Sequence, residues 1–282
     1  MNDKSIQLPS QLIEGGDLEL LLSTQRPVIL DTGRTLDEYE QSHIPGSLFI
    51  PRHEYWGNPD DGHVPFPGVR TISQWLENLG IHLTTPVILV DSGDSLWASR
   101  VAWTLAYLGH QNWAVLNGGM NLWLYEKRPS EKGEMPSPRP LPPGSLEPKI
   151  KKHLLINGEG VYNALSQEGV VILDTRSPGE YQGTSIYAER GGHIPHSIHL
   201  EWTINIRHQS PVQFRPIHEI SHIYQAQGIL PSHRIITLCQ AGVRAAHTWL
   251  ALTLAGYRNV TLYDGSWVEW AANSQYPTEV SS

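Results

Sequence analysis

The sequence predicts an α/β protein built from two copies of one domain, each a parallel sheet flanked by helices. An internal repeat and a strand–helix alternation carry that expectation. Val28–Asp31 reads VILD, and so does Val171–Asp174. His43-Ile-Pro-Gly-Ser47 is echoed by His193-Ile-Pro-His-Ser197, 150 residues on. Val87–Asp91 (VILVD) matches Ile235–Cys239 (IITLC), a step of 148 residues. Asn117-Gly-Gly ending in Trp123 matches Asp264-Gly-Ser ending in Trp270, a step of 147. Four matches in one order, at nearly constant spacing, imply a duplicated unit of about 130–150 residues.

Each element follows from local pattern. The apolar runs Val28–Leu30, Val87–Val90, Val170–Leu173 and Ile235–Leu238 are short and rich in β-branched residues, as buried parallel strands are. Ala245–Ala255 places Ala246, Leu250 and Leu254 on one helical face, with Gly256 where a left-handed cap belongs. Val101, Leu105 and Leu108 before Gly109 repeat that pattern in the first copy. Pro129 to Pro148 holds seven of the 21 prolines, so a stiff extended connection is expected there. The expected boundaries are residues 8–133, a linker at 134–152, and 153–282.

Composition removes several function classes. The net charge of -8 argues against nucleic acid, which needs clustered Lys and Arg, and against an anionic membrane surface. No stretch approaches the roughly 18–20 apolar residues of a membrane span. The amino terminus lacks a secretory pattern, so a cytoplasmic location is expected. A single cysteine excludes an intramolecular disulfide and zinc sites with two thiolates from this chain.

That cysteine, Cys239, follows a predicted strand, and Gln240, Ala241, Gly242, Val243 and Arg244 lead from it into a helix. A strand end feeding a helix start gathers backbone N–H groups, and the helix dipole adds partial positive charge. These five residues are therefore expected to form a backbone cradle for an anion, in which a cysteine ionises readily. Gln240 and Ala241 leave the thiol's immediate neighbours uncharged. Gly242 lets the backbone turn. Arg244 can grip an oxyanion with two donors. The bland alternative, a small buried apolar thiol, explains neither the glycine nor the arginine.

With these residues in view, the chain resembles the tandem-domain rhodanese family over nearly its whole length. Cys239-Gln-Ala-Gly-Val-Arg244 resembles the family's active-site loop. Tyr263-Asp-Gly-Ser-Trp-Val-Glu-Trp270 is similar to its carboxy-terminal signature, and Gly192-His-Ile-Pro and His43-Ile-Pro-Gly-Ser to its domain signature. The His-Ile-Pro pieces are expected to be structural turns. The resemblance implies two rhodanese-like domains and a thiosulfate or 3-mercaptopyruvate sulfurtransferase. Sulfane sulfur would pass from a small anionic donor to Cys239 as a persulfide, then to cyanide or a thiol, including a protein thiol. It implies no metal and no organic cofactor, and a substrate-binding role for Arg176. The plain alternative for Arg176 is an ion pair with Glu180 at i+4.

The first copy carries Asp91 and Ser92 where the second carries Cys239 and Gln240. A carboxylate cannot carry sulfane sulfur, so this copy is expected to be catalytically silent. A charge pair at about 4 Å and an effective dielectric near 20 is worth up to about 4 kcal/mol before desolvation. On that argument the fixed charge of Arg244 favours the dianion thiosulfate over 3-mercaptopyruvate. Two rival readings remain: a persulfide carrier without turnover, and a phosphatase of the same fold. The phosphatase loop has five residues between Cys and Arg, and this chain has four. His218-Glu219-Ile-Ser-His222 matches a zinc-protease pattern literally, but no third ligand follows, and a solvated helix face is expected. Trp103, Trp123, Trp249, Trp267 and Trp270 are expected in cores.

Overall fold

A computed structural model describes residues 7–56 and 66–280. The described chain divides into two compact units. One holds residues up to 151 together with 208–214, and the other holds the remainder from 152 onward.

In the first unit the elements run β1 (Leu12–Ile13), α1 (Gly15–Thr24), β2 (Val28–Thr32), α2 (Leu36–Gln41), β3 (Leu48–Ile50), α3 (His53–Trp56), α4 (Val69–Asn78), β4 (Val87–Val90), α5 (Leu96–Tyr107), β5 (Trp113–Leu116) and α6 (Gly119–Tyr125). The second continues with β6 (Leu155–Ile156), α7 (Gly158–Ala164), β7 (Val170–Asp174), α8 (Pro178–Gln182) and β8 (Ile198–His199). Two short strands follow in the chain, β9 (Ile206–Arg207) and β10 (Gln213–Phe214). Then come α9 (Ile217–Ala226), β11 (Arg234–Leu238), α10 (Val243–Leu254), β12 (Val260–Tyr263) and α11 (Ser266–Ala272). The two five-stranded sheets are ordered β1-β5-β4-β2-β3 and β6-β12-β11-β7-β8, with every pairing in them parallel. One topology occurs twice, and both sheets are flanked by helices, as the repeat predicts.

The four predicted strands are β2, β4, β7 and β11, and β4 and β11 are central in their sheets. Central parallel strands are covered on both faces, which is why they read as unbroken apolar runs. Ile29, Ile88, Ala114 and Trp123 fill one core, and Ile172, Ile236, Trp267 and Trp270 the other. Full burial of each large side chain is worth about 1.5–3 kcal/mol. All five tryptophans expected in cores are at most 3% exposed. Gly109 (φ +88°) and Gly256 (φ +87°) follow α5 and α10 as predicted.

His-Ile-Pro is the structural turn expected, and both copies build it the same way. The imidazole of His43 stacks on Tyr39 at 3.9 Å, and that of His193 on Tyr181 at 3.8 Å. Each tyrosine hydroxyl donates to the carbonyl of the serine closing the motif, Ser47 or Ser197. Isolated bridges tie His43 to Glu131 and His193 to Glu279.

The proline-rich stretch forms no helix or strand between Tyr125 and Lys152, as its composition requires. It is docked rather than free. The Glu77 carboxylate accepts from Gly144 N and Leu146 N, Lys149 N donates to Leu108 O, and Lys151 N to Tyr107 O. Residues 134–151 therefore pack with the first unit, not as a spacer. No described helix is long and apolar enough to cross a membrane.

Candidate active site

Strand β11 delivers Cys239 to the carboxyl edge of the second sheet, where ligands of parallel α/β sheets bind. The thiol is 1% exposed. Only Gln240, Ala241 and Gly242 make the turn that leads into α10. Gly242 is the N-cap, with φ +79°, a conformation that favours glycine. Val243 and Arg244 already belong to the first turn of the helix.

The five residues expected to form the cradle thus divide into a three-residue turn and the first two residues of a helix, whose first-turn N–H groups have no acceptor within the helix. Ala241 stands at the middle of that turn, half-buried, and adds only a methyl group. The uncharged character expected of Gln240 and Ala241 holds, but no charge-based preference between donors comes from either. Gly242 N, expected to face an anion, donates instead to a side chain of this chain.

That side chain is Ser266, and the loop is held from behind. The Ser266 hydroxyl accepts from Cys239 N at 3.1 Å and Gly242 N at 3.2 Å, and donates to Tyr263 O at 2.8 Å. Trp267 N donates to Cys239 O at 2.9 Å, and Val268 N to Gln240 O at 3.2 Å. The Gln240 amide donates to Tyr187 O at 2.9 Å, while its buried Oε1 has no partner among the described residues.

The two arginines are engaged differently from expectation. Arg244 places both terminal nitrogens on the Glu180 carboxylate, at 2.6 and 2.7 Å. Glu180 is 5% exposed and also accepts from Ser177 N and the Ser177 hydroxyl in a capping box at α8. Burial alone would raise the Glu180 carboxyl, but the Arg244 fork and the Ser177 donors outweigh it and bring it to about 2. The same partner raises Arg244 against the effect of burial. Arg244 is thus half of a charge-neutral pair, which weakens the electrostatic case for thiosulfate.

Arg176 is 1% exposed. Its guanidinium bonds Asp174 through Nε at 3.0 Å and Nη2 at 2.6 Å, and Gly192 O at 2.8 Å. It also lies 4.4 Å over the Trp267 ring. The alternative pairing of Arg176 with Glu180 is not formed, because the strand-end carboxylate is nearer. The donor-binding role expected for Arg176 has no support in this geometry. The first copy contains the counterpart: buried Arg34 bonds Asp31 at 2.6 Å, and Glu38 O and Ser42 O. A device present in both copies reads as architecture.

In the first copy four residues, Ser92 to Ser95, separate Asp91 from α5, one more than in the second. The Asp91 carboxylate accepts from Gly93 N (3.0 Å), Ser95 N (3.2 Å) and Ala98 N (3.2 Å). Met120 N donates to Asp91 O and Asn121 N to Ser92 O, the same backbone ladder that Trp267 and Val268 make. Three backbone N–H groups thus converge on the side chain at this strand end, and here the chain fills the position with a carboxyl group.

The zinc-protease look-alike is a solvated helix face, as expected. His218 and His222 are not buried on α9, and Glu219 is held by Arg207 and Arg215.

A Rhodanese-like domain model matches residues 15–126 and again 159–273. The chain belongs to the rhodanese family. Relatives include the thiosulfate sulfurtransferase of Azotobacter vinelandii, 32% identical over 95% of this chain and 97% of that one. The 3-mercaptopyruvate sulfurtransferase of Rattus norvegicus is 31% identical over 84% of this chain and 80% of that one. A "Sulfur carrier protein TtuD" of Thermus thermophilus is 29% identical over 93% and 94%. Among solved structures, a complex of EanB/Y353A with ergothioneine superposes with a TM-score of 0.87. It is 23% identical and covers 96% of this chain and 70% of that one, which shows the shared fold. The family and its named members make this chain a sulfurtransferase.

Ser266 and Glu180 were not legible as site residues. Ser266 lies inside the carboxy-terminal signature, and the one signal pointing to it was that the first copy has Gly119 there. Glu180 read as a surface partner at i+4, although Ser177-Pro-Gly-Glu180 spells a capping box.

Proposed function

We propose that this chain moves sulfane sulfur from thiosulfate to cyanide or a thiol through a persulfide on Cys239. One observation carries the reading. Cys239 occupies the strand-end position where the first copy binds its own carboxylate with three backbone N–H groups. A position onto which backbone N–H donors converge suits a thiolate and then a persulfide. The Cys239 thiolate attacks the outer sulfur of thiosulfate, the S–S bond breaks, and sulfite leaves with the electron pair. Cyanide then attacks the outer sulfur of the persulfide, and thiocyanate departs as the thiolate reforms. The steps balance without an outside oxidant, reductant or cofactor.

Thiosulfate is proposed over 3-mercaptopyruvate on the names of two bacterial relatives that share 95% of this chain, at 32% and 30% identity. Glu180 leaves the charge of Arg244 too well compensated to decide the matter. The Asp91 copy is proposed to be silent. A carrier role is favoured by the Thermus thermophilus relative's name, and steady-state thiocyanate release separates turnover from a single loading event.

The test is intact mass after thiosulfate and after addition of cyanide. One added sulfur on Cys239, discharged by cyanide, is expected in the wild type. Cys239→Ser should take up none while melting as the wild type does. Sulfur uptake or turnover in the serine variant would falsify the reading.

A further inference from the structure

Ser266 is fully buried and stands in the left-handed region at φ +52°. A serine there is strained, and such strain persists only where the surroundings hold it. The first copy meets the same backbone requirement with Gly119, at φ +50°. A Cβ on Gly119 would run into Asp91 O and lie 2.8 Å from Gly93 N. The second copy, with one residue fewer between strand and helix, accommodates a side chain at that point. Glycine would be the relaxed choice, so the hydroxyl has to account for the serine.

The hydroxyl bridges the two sides of the sulfur-bearing turn. It accepts from Cys239 N at the end of β11 and from Gly242 N at the cap of α10. Its own proton goes to Tyr263 O at the end of β12. One donor and two acceptor positions are thereby filled. With its proton committed, Ser266 does not donate to sulfur, and it is not a catalytic residue. It ties strand end, turn and helix start to β12, the strand beside β11.

Resting on the persulfide reading above, we propose that Ser266 is the positioning residue of the sulfur-carrying turn. Its hydroxyl fixes the distance between Cys239 and the first turn of α10, and so sets how well the helix terminus stabilises the thiolate and the persulfide. In the first copy the Asp91 carboxylate organises the turn itself, so glycine suffices.

Ser266→Ala and Ser266→Gly test this in the full chain. Two rates are read: alkylation of Cys239 by iodoacetamide across pH, and persulfide loading in a single turnover with thiosulfate. Losing an acceptor shared by two N–H groups should slow loading about tenfold in both variants. It should also move the alkylation profile to higher pH. Ser266→Gly should melt no lower than Ser266→Ala, because glycine relieves the strain at φ +52°. Wild-type alkylation and loading in both variants would overturn the proposal. So would a slow alanine variant beside a wild-type glycine variant, since strain rather than the hydroxyl would then be the cause. So would a lower melting temperature with unchanged alkylation, which marks a brace of the fold alone. Alkylation needs no sulfur donor, so the role of Ser266 is read even if thiosulfate fails to load the wild type.

Discussion

In the first copy β4 runs into Asp91, whose carboxylate is bonded by the N–H groups of Gly93, Ser95 and Ala98. In the second, β11 runs into Cys239, and N–H groups of the turn converge on the Ser266 hydroxyl instead. Around these two ends the frames coincide: same strand order, same backbone ladder from the following glycine-containing turn, same buried Asp–Arg pair beside them. The difference is what fills the strand end. One copy fills it with a carboxyl group of its own chain. The other keeps an ionisable thiol and uses a strained serine to shape the turn. Duplication thus separates what the fold needs from what the chemistry needs. The Asp–Arg pair and the Tyr–His stack recur in both copies and belong to the fold. Cys239, Ser266 and the Arg244–Glu180 pair occur once, and these are the residues proposed to make the site.

The sharpest challenge to that division is Arg176. Assigned to architecture, it should be costly to remove, because Asp174 is fully buried and would be left uncompensated. Arg176→Ala is expected to destabilise the chain by about 3–5 kcal/mol. Arg34→Ala should destabilise the first unit in the same way, since Asp31 loses the same kind of partner. Denaturant unfolding of both variants checks this. If Arg176→Ala unfolds as the wild type does but needs far more thiosulfate for half-maximal rate, the arginine belongs to the donor site after all.

Asp91 comes next, with a smaller effect and a pH signature. Asp91→Ala leaves three buried N–H groups without their acceptor, at a cost of about 2–3 kcal/mol after water enters. Burial, and then the charge of Asp94, push the Asp91 carboxyl up to about 7 despite those donors. A folded-state value above the ordinary 3.8 means that the folded chain keeps a proton the unfolded chain has lost. Stability should therefore fall as pH rises from about 4 to about 7, and the alanine variant should lack that fall. Its penalty relative to wild type is expected to be larger at pH 5 than at pH 8. Sulfur loading of Cys239 should be unchanged, and a loss of loading at unchanged melting temperature would give the first copy a part in the chemistry.

How much of this was readable beforehand divides along the same line. Strands β2, β4, β7 and β11, the helix faces of α5 and α10 and the turn role of His-Ile-Pro follow from periodicity and repetition, which are local properties. The placement of Cys239 between a strand end and a helix start followed from an apolar run, a glycine and a helical pattern in series. The same series does not mark where the helix begins, and the structure divides the motif into a turn at Gln240, Ala241 and Gly242 and a helix start at Val243. What stayed hidden were partnerships set by three-dimensional proximity. Arg244 and Glu180 are 64 residues apart, and no spacing rule joins them. The i+4 rule joined Arg176 to Glu180 wrongly, because Asp174 two residues back offers a fully buried carboxylate that must be compensated. Ser266 was hidden for another reason: its strain is a backbone angle, which sequence shows only through the glycine at position 119.

The Arg244–Glu180 pair gives the smallest expected effect and the finest test. Glu180 sits at about 2, below its ordinary value of 4.5, because the Arg244 fork and Ser177 donors outweigh burial. A depressed carboxylate contributes stability that is complete above about 4.5 and is lost as pH falls toward 2. Glu180→Gln keeps the shape and loses the charge, so it should cost about 2 kcal/mol at neutral pH and show a flatter acid limb. The same variant releases the positive charge of Arg244 beside the thiol. A dianion gains more from an uncompensated guanidinium than a carboxylate does whose charge lies away from its sulfur. Turnover per Michaelis constant for thiosulfate, relative to 3-mercaptopyruvate, should therefore rise about threefold to fivefold. A ratio that stays fixed while the acid limb flattens would confine Glu180 to stability. A ratio that falls would mean that Glu180 aims Arg244 rather than neutralising it, and the pair would then act on the donor as one unit.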